Sequence, residues 1–412
     1  MSYILLAVPF FFLLIGLELI LEKVRKTDYY RVNDAVNSLS AGVLSRATGI
    51  ARRLVPFTLY ALVFEHVALM SLPDMAWVWV LAFVLYDFCY YWNHRLGHEM
   101  NILWAAHVVH HSSEEYNLTT ALRQSSSGLF SWLFYLPMAL LGIEPVIFVA
   151  VGSLNLIYQF WVHTRHVPKL GWFEWVFVTP SNHRVHHAQN QVYIDRNYGG
   201  VFIVWDRLFG SFQEELDEEP PLFGIRKALH SWNPLWANVH VYSQLAKDCW
   251  HAGRWQDKLS IWFRRTGWRP ADVEEKYPLP RADLTRFRKF DIPLTATTKV
   301  YCVIQHGLTV LVTFMLMLSV DKLALGQQWG LLGFVLLSSF SIGALMEQRP
   351  FAWWLEGMKN ILVLAVLLYL SLPAWLMAGL GLGTLLSIGL LLSIRIKAPV
   401  RPFVQMEEQP RG

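Results

Sequence analysis

Cysteine is scarce in this chain of 412 residues: Cys89, Cys249 and Cys302 are the only three, far apart and without a CxxC pair. That excludes a disulfide framework and a cysteine-based zinc site, and free thiols are expected. Charge is scarce as well. Charged residues make up 16% against a hydrophobic share of 54%, and mean hydropathy is +0.32, whereas soluble domains run at about 25% charged. A membrane protein fits that balance. The net charge of +4 is dispersed along the chain and excludes a nucleic-acid footprint.

Two further signals are absent. The first apolar stretch, residues 2–21, has its positive charges Lys23, Arg25 and Lys26 after it rather than before. That order is the reverse of a secretory signal, so a retained membrane helix is expected. There is also no HExxH motif. Arg95, Leu96 and Gly97 separate His94 from His98, and Glu99 falls outside the slot a hydrolytic base would occupy, which argues against a zinc hydrolase.

What the chain concentrates is histidine. Ten of its fifteen histidines fall between His94 and His187: His94 and His98; His107, His110 and His111; His163 and His166; His183, His186 and His187. Residues three and four apart share a helical face at about 5–6 Å, so each HxxxH or HxxHH cluster is a ready chelate. Neutral imidazole suits zinc, copper, iron and nickel. This many imidazoles exceed the roughly four ligands of one zinc ion, so two metal ions are expected. With no catalytic glutamate and no cysteine beside the clusters, a redox pair of irons is the better reading.

Apolar runs give nine candidate membrane helices, at 2–21, 54–72, 76–92, 128–142, 145–162, 299–320, 328–346, 358–374 and 376–394. The fourth and fifth read as a hairpin turning at Gly142–Pro145. Lys and Arg gather on the cytoplasmic side of membrane proteins. With the N-terminus outside, the loops holding Lys23/Arg25/Lys26/Arg31, Arg95/Arg123, Arg165/Arg184, Arg349/Lys359 and Arg395/Lys397/Arg401 all fall inside, and the loops near Pro73, Gly142, Asp321 and Pro373 are almost free of positive charge. The expected architecture is all-α and multi-pass, with about nine transmembrane helices, the C-terminus inside and a cytoplasmic histidine-rich di-metal cap. Membrane helices occupy 1–75 and 299–412. A catalytic segment occupies 76–215, and a cytoplasmic segment, helical around Trp236–Phe263, occupies 216–298. The acidic run 214–219 reads as a solvated turn, and Gly379–Gly383 as a place of close helix packing.

The three histidine boxes, ordered around membrane helices over about residues 80–215, resemble the fatty acid hydroxylase and sterol desaturase superfamily of membrane di-iron oxygenases. The runs Tyr86–Glu99, His111–Gln124, Asn155–Thr164, Thr179–His187, Asp195–Gly199 and Trp205–Gly210, with the hydrophobic block after residue 299, are similar to its alkylglycerol monooxygenase branch. The resemblance implies insertion of one oxygen atom of O2 at the carbon beside a lipid ether oxygen, giving a hemiacetal that falls apart to an aldehyde and a glycerol product. It implies two Fe ions and a tetrahydropterin such as tetrahydrobiopterin as electron donor, although no residue marks a pterin site. Lipid and O2 are the implied partners, and no nucleic acid.

The expected metal ligands are His94, His98, His107, His110, His111, His163, His183, His186 and His187, while His166 matches the pattern less distinctively. Glu99 is expected to orient a ligand imidazole, and Asp87, a carboxylate inside a membrane helix, to bond a metal-ligating histidine. Arg123, Asn182, Asp195, Asn197, Tyr198 and Asp206 match family positions but also suit loop-tying roles. One of Glu114, Glu115, Tyr116 and Asn117 is a candidate to hold an imidazole. His66, His230, His240, His251 and His306 read as ordinary isolated histidines. Two alternatives stay open: hydroxylation or desaturation of a sterol, carotenoid or acyl chain, and a membrane metal transporter or sensor.

Overall fold

An apolar chain crossing lipid must satisfy its own backbone, and helices do so within one segment. The computed structural model describes residues 3–52, 54–128, 130–280, 282–367 and 374–394. Among these, helices dominate, and only two isolated bridges form, Phe177 with Phe202 and Ala188 with Phe223. The chain divides into two compact units. The first runs through Lys227 and resumes over Trp236–Phe287; the second combines Ala228–Leu235 with the chain from Arg288 onward.

The first unit opens with α1 (Tyr3–Arg25), α2 (Val32–Arg52) and α3 (Leu54–Val67), followed by α4 (Ala76–Glu99), α5 (Asn101–His111) and the short α6 (Leu118–Ala121). A tight 3-10 turn at Ser131–Tyr135 leads into α7 (Leu136–Leu140). Gly142 then reverses the chain at φ +80°, and Pro145 opens α8 (Pro145–Trp161). A Cβ at Gly142 would meet the Met70 carbonyl oxygen at 2.1 Å, so only glycine fits this turn. Next come α9 (Pro180–His186), α10 (Val204–Leu208), α11 (Pro234–His251), α12 (Trp255–Ser260) and α13 (Ala271–Lys276). The apolar core joins α3, α4, α7 and α8 through Tyr60, Ala82, Met138, Ile147 and Val151. A second cluster seats α1 against α6 and α8, with Phe11 stacked on Phe160 at 4.2 Å.

The second unit contains α14 (Ala296–Ser319), α15 (Leu325–Met346), α16 (Pro350–Leu367) and α17 (Ala374–Ser393). Its interior holds a fully buried ion pair, Lys359 to Glu356 at 2.7 Å, with the Tyr301 hydroxyl donating to Glu356 and Asn360 donating to Tyr301. Of the glycines in Gly379–Gly383, Gly379 and Gly381 face open space and only Gly383 lies against a neighbour, Leu308. The expected close packing is thus confined to one position.

Three described helical stretches are long and apolar enough to cross a membrane by length and composition: Ala296–Lys322, Leu325–Met346 and Pro350–Leu367. The nine expected helices are not matched one for one. Of 54–72 only the 14 residues of α3 are helical, about 21 Å, against a hydrocarbon core of about 30 Å. The segment 128–142 breaks into a 3-10 turn and the five-residue α7, too short to cross. Conversely, α2 lies in no expected span, because its inward face is polar: Asn33, Asp34, Asn37, Ser38 and Ser40 are all buried. Pro373, Arg395, Lys397 and Arg401, and parts of the expected spans at 2–21 and 358–374, lie outside the described residues.

Candidate metal centre

Four elements deliver the histidines. Helix α4 runs unbroken from Ala76 to Glu99, so its last turns carry His94 and His98 on one face. Helix α5 carries His107, His110 and His111. His163 follows the end of α8. Helix α9 starts at a capping box, in which the Thr179 hydroxyl accepts from the Asn182 backbone and the Asn182 side chain accepts from the Thr179 backbone, with Pro180 in the first turn. That cap satisfies the free amides of a very short helix and fixes His183, His186 and His187.

The structure brings all nine expected ligands together, in two groups whose ligand atoms lie within 4.8 Å of one another: His94, His98, His107, His111 and His186 in the first, and His110, His163, His183 and His187 in the second. Helical periodicity explains the division. In each HxxHH box the outer residues, four apart, serve one group, and the middle histidine, pointing well around the helix, serves the other. His166 stays outside both groups, beside the Tyr29 ring, with its backbone carbonyl accepting from Arg25. The isolated histidines 66, 230, 240, 251 and 306 join neither.

The ring protons show which nitrogens are free. The Nδ1–H of His94 donates to the Tyr198 carbonyl at 2.7 Å, that of His110 to Arg123 at 2.8 Å, that of His163 to Gln159 at 2.7 Å and that of His186 to Arg196 at 3.0 Å. A carbonyl only accepts, so each of these rings is protonated at Nδ1 and leaves Nε2 bare. The bare Nε2 atoms of His110 and His163 face each other at 3.2 Å, two lone pairs with no proton to share. The Nε2 atoms of His98, His186 and His187 and the Nδ1 of His183 are buried without a partner. Unpaired buried acceptors are costly, and a cation in each group satisfies the bare Nε2 atoms together, so the donor set fits metal ions.

Burial keeps these rings neutral. It pulls His94 down to about 3 and His110 to about 4, and holds the other seven well below the ordinary histidine value, with the neighbouring imidazoles adding to the effect. Neutral imidazole is the ligand form.

Neither expected carboxylate touches a histidine. Asp87 accepts from Asn155 Nδ2, Trp205 Nε1 and the backbone amides of Val201 and Phe202, at 2.7–3.0 Å. A Cβ on Gly200 would meet Asp87 Oδ1 at 2.8 Å, so the loop needs glycine to come this close. Asp87 therefore acts through others: it holds the loop beyond Tyr198, and through Asn155 the Gln159 side chain, whose backbone carbonyl holds His163. Glu99 accepts from Arg95 at 3.0 Å and from the Tyr198 hydroxyl at 3.2 Å. Two carboxylates in one buried helix cannot be told apart by sequence when the loop that claims them lies a hundred residues away.

Of the residues read as loop-tying, Tyr198 and Arg123 carry two of the four carbonyls that hold the rings. Tyr198 is held through its amide by Asp206, which also accepts from the Gly199 amide and the Ser211 hydroxyl; burial raises the Asp206 carboxyl to about 6. Arg123 is fully buried, with Nε donating to Val109 and its own carbonyl facing His110. Tyr116 lays its ring along His163, with Phe223 stacked on its far side. Glu115 pairs with Arg31. The acidic run is more than a solvated turn, because Glu215 forms a bidentate pair with Arg184, the residue after His183.

Comparison with known proteins agrees with this geometry. A family model for fatty acid hydroxylases matches residues 79–211, the span that contains every histidine of both groups. The alkylglycerol monooxygenase of Xenopus tropicalis is 39% identical over 367 residues, 88% of this chain and 81% of that protein. The Homo sapiens alkylglycerol monooxygenase is 38% identical over 372 residues, 88% of this chain and 82% of its own length. An ornithine lipid hydroxylase of Rhizobium tropici is 32% identical over 145 residues, 34% of this chain and 44% of that protein. No solved structure matches. With 38–39% identity over 88% of its length and over 81–82% of these relatives, the chain belongs to the alkylglycerol monooxygenase family.

Proposed function

We propose that this chain is an oxygen-dependent lipid monooxygenase that cleaves the ether bond of alkylglycerols, with two irons held by the two histidine groups. The observation that carries the reading is the pair of all-imidazole donor sets inside a chain similar to alkylglycerol monooxygenases over 88% of its length. A set of five imidazoles exceeds the four of tetrahedral zinc and suits iron. Iron held there supplies the activation of O2 that attack on an unactivated C–H bond needs. Site residues are then the nine histidines, with Asp87, Glu99, Tyr198 and Asp206 as positioning residues.

The reaction balances as R–CH2–O–R′ with O2, two electrons and two protons giving R–CH(OH)–O–R′ and water. The hemiacetal then breaks its C–O bond, yielding the aldehyde and the glycerol hydroxyl. A tetrahydropterin, as in the family, is the two-electron donor. The protein's part is to hold the ligands still, aim the carbon beside the ether oxygen and keep water away. The buried, neutral rings support this, since each is locked by a backbone carbonyl or by its neighbours. The basic residues beside the centre, Arg95, Arg123, Arg165 and Arg184, support its position on the cytoplasmic face. The catalytic segment is 76–215, and the lipid tail lies among the helices.

The test is purification without oxygen, metal analysis, and mass spectrometry of products formed from an alkylglycerol under ¹⁸O2, with and without a tetrahydropterin. One labelled oxygen in the aldehyde or its precursor is expected, together with iron in stoichiometric amount. Label in no product overturns the oxygenase reading. Label only in a hydroxylated lipid with its ether intact moves the substrate to that lipid class, as the shared core of the ornithine lipid hydroxylase allows.

A further inference from the structure

Between Trp250 and Phe263 the first unit exposes four large apolar side chains, Trp250, Trp255, Leu259 and Phe263, each at least two-thirds accessible. Trp255 and Leu259 lie four apart on α12 and share a face. The segment cannot cross a bilayer, since α12 has six residues, about 9 Å in length. Exposed apolar groups this dense mark an interaction surface.

The charges around it identify the partner. From Lys247 to Arg269 there are six basic residues, Lys247, Arg254, Lys258, Arg264, Arg265 and Arg269, against two acidic ones, Asp248 and Asp257. Arg269 is paired with Asp248, Arg265 with Asp195 and Arg254 with Asp257 at 3.8 Å, and of these the Arg254 side chain stays 73% exposed. Tryptophan, leucine and phenylalanine interleaved with Lys and Arg are the composition of an element lying in the headgroup region of an anionic bilayer. The acidic residues Asp272, Glu274 and Glu275 follow on α13, where Asp272 is turned back to accept from the Gly253 amide.

This surface is fastened to the metal centre. Arg264 and Trp262 offer their carbonyls to the first amides of α5, Asn101 and Ile102, at 3.0 and 2.9 Å. The Asn101 side chain bonds the carbonyls of Ile261 and Trp268, and the Thr266 hydroxyl donates to the His98 carbonyl. Ala105 of α5 packs with Leu245 and Ile261. The corner between His98 and His107 therefore rests on the same segment that displays the aromatic face.

We infer that residues 250–263 form a docking surface for the anionic headgroup layer of a membrane, seating the His98–His107 corner at that surface. The inference rests on the reading of the chain as a membrane enzyme, and its test uses no turnover. The full chain carrying Cys249→Ser, with Cys89 and Cys302 buried, receives Leu259→Cys or, as a control on the acidic turn, Asp217→Cys. Each is spin-labelled and placed one copy per nanodisc of phosphatidylcholine, with or without phosphatidylserine. Accessibility to O2 relative to a water-soluble nickel complex should be several-fold higher at position 259 than at 217, and should rise with phosphatidylserine. Lys247→Glu combined with Arg254→Glu should abolish that rise while metal content stays unchanged, which separates lost docking from lost folding. Equal ratios at the two positions, or shielding at 259 that requires two copies per disc, overturn the inference. The oxygenase reading fails separately, on the fate of ¹⁸O.

Discussion

His110 and His163 point their bare Nε2 atoms at one another across 3.2 Å, each because its Nδ1–H is committed to a backbone carbonyl. Fifty-three residues apart in sequence, they form the edge of a site that holds no proton between them. Removing one lone pair should empty the second group and leave the first. His163→Ala is expected to halve the metal retained by purified protein and to lower product formation at least about 100-fold; metal analysis beside a turnover assay checks both.

Asp87 gathers four donors that have no other buried acceptor. Asp87→Ala should cost about 3 kcal/mol of stability through the stranded amides of Val201 and Phe202. Metal affinity in the first group should fall about 10- to 100-fold as the Tyr198 loop loosens. Thermal unfolding in detergent and metal titration read the two effects separately, and an unchanged unfolding temperature would count against this role.

Glu99 and the Tyr198 hydroxyl share one bond, while His94 is held by the Tyr198 carbonyl. Glu99→Gln and Tyr198→Phe should therefore weaken activity by similar, small factors, below about 10-fold, and the double variant should be no worse than either single one. A loss of several hundred-fold in Glu99→Gln alone would place that carboxylate in direct chemistry.

Asp206 has its folded carboxyl raised to about 6 by burial, against about 3.9 in an unfolded chain. The folded state thus holds this proton more tightly. The stability it lends is complete below about pH 4 and is lost as pH rises through 6, amounting to roughly 3 kcal/mol. Asp206→Asn should flatten the fall in stability between about pH 4 and 6, measured by denaturation at fixed ionic strength; an identical pH profile in the variant would refute the assignment.

Much of the site is legible in the sequence, because the periods of a helix are written in the spacing of His107, His110 and His111 and of His183, His186 and His187. His163 is legible on a different ground, as the residue after an apolar helix in a family-like run. The carboxylates were not legible. Asp87 and Glu99 look like partners for a nearby histidine because they share its helix, but their donors come from residues 155 and 198–205. Helix α2 is hidden from the sequence for a related reason: its buried face is largely polar, so apolar runs do not reveal it.

The sequence by itself determined the concentration of imidazole and the pairing of histidines four apart on each helix, since these follow from composition and local geometry. Only the tertiary structure decided that His186 joins His94 and His98 while His183 and His187 join His110 and His163. It also decided which carbonyl fixes each ring. Those choices depend on how α4, α5, α8 and α9 come together, and contacts between distant segments are set by packing and by the burial of every polar group at once, not by spacing along the chain.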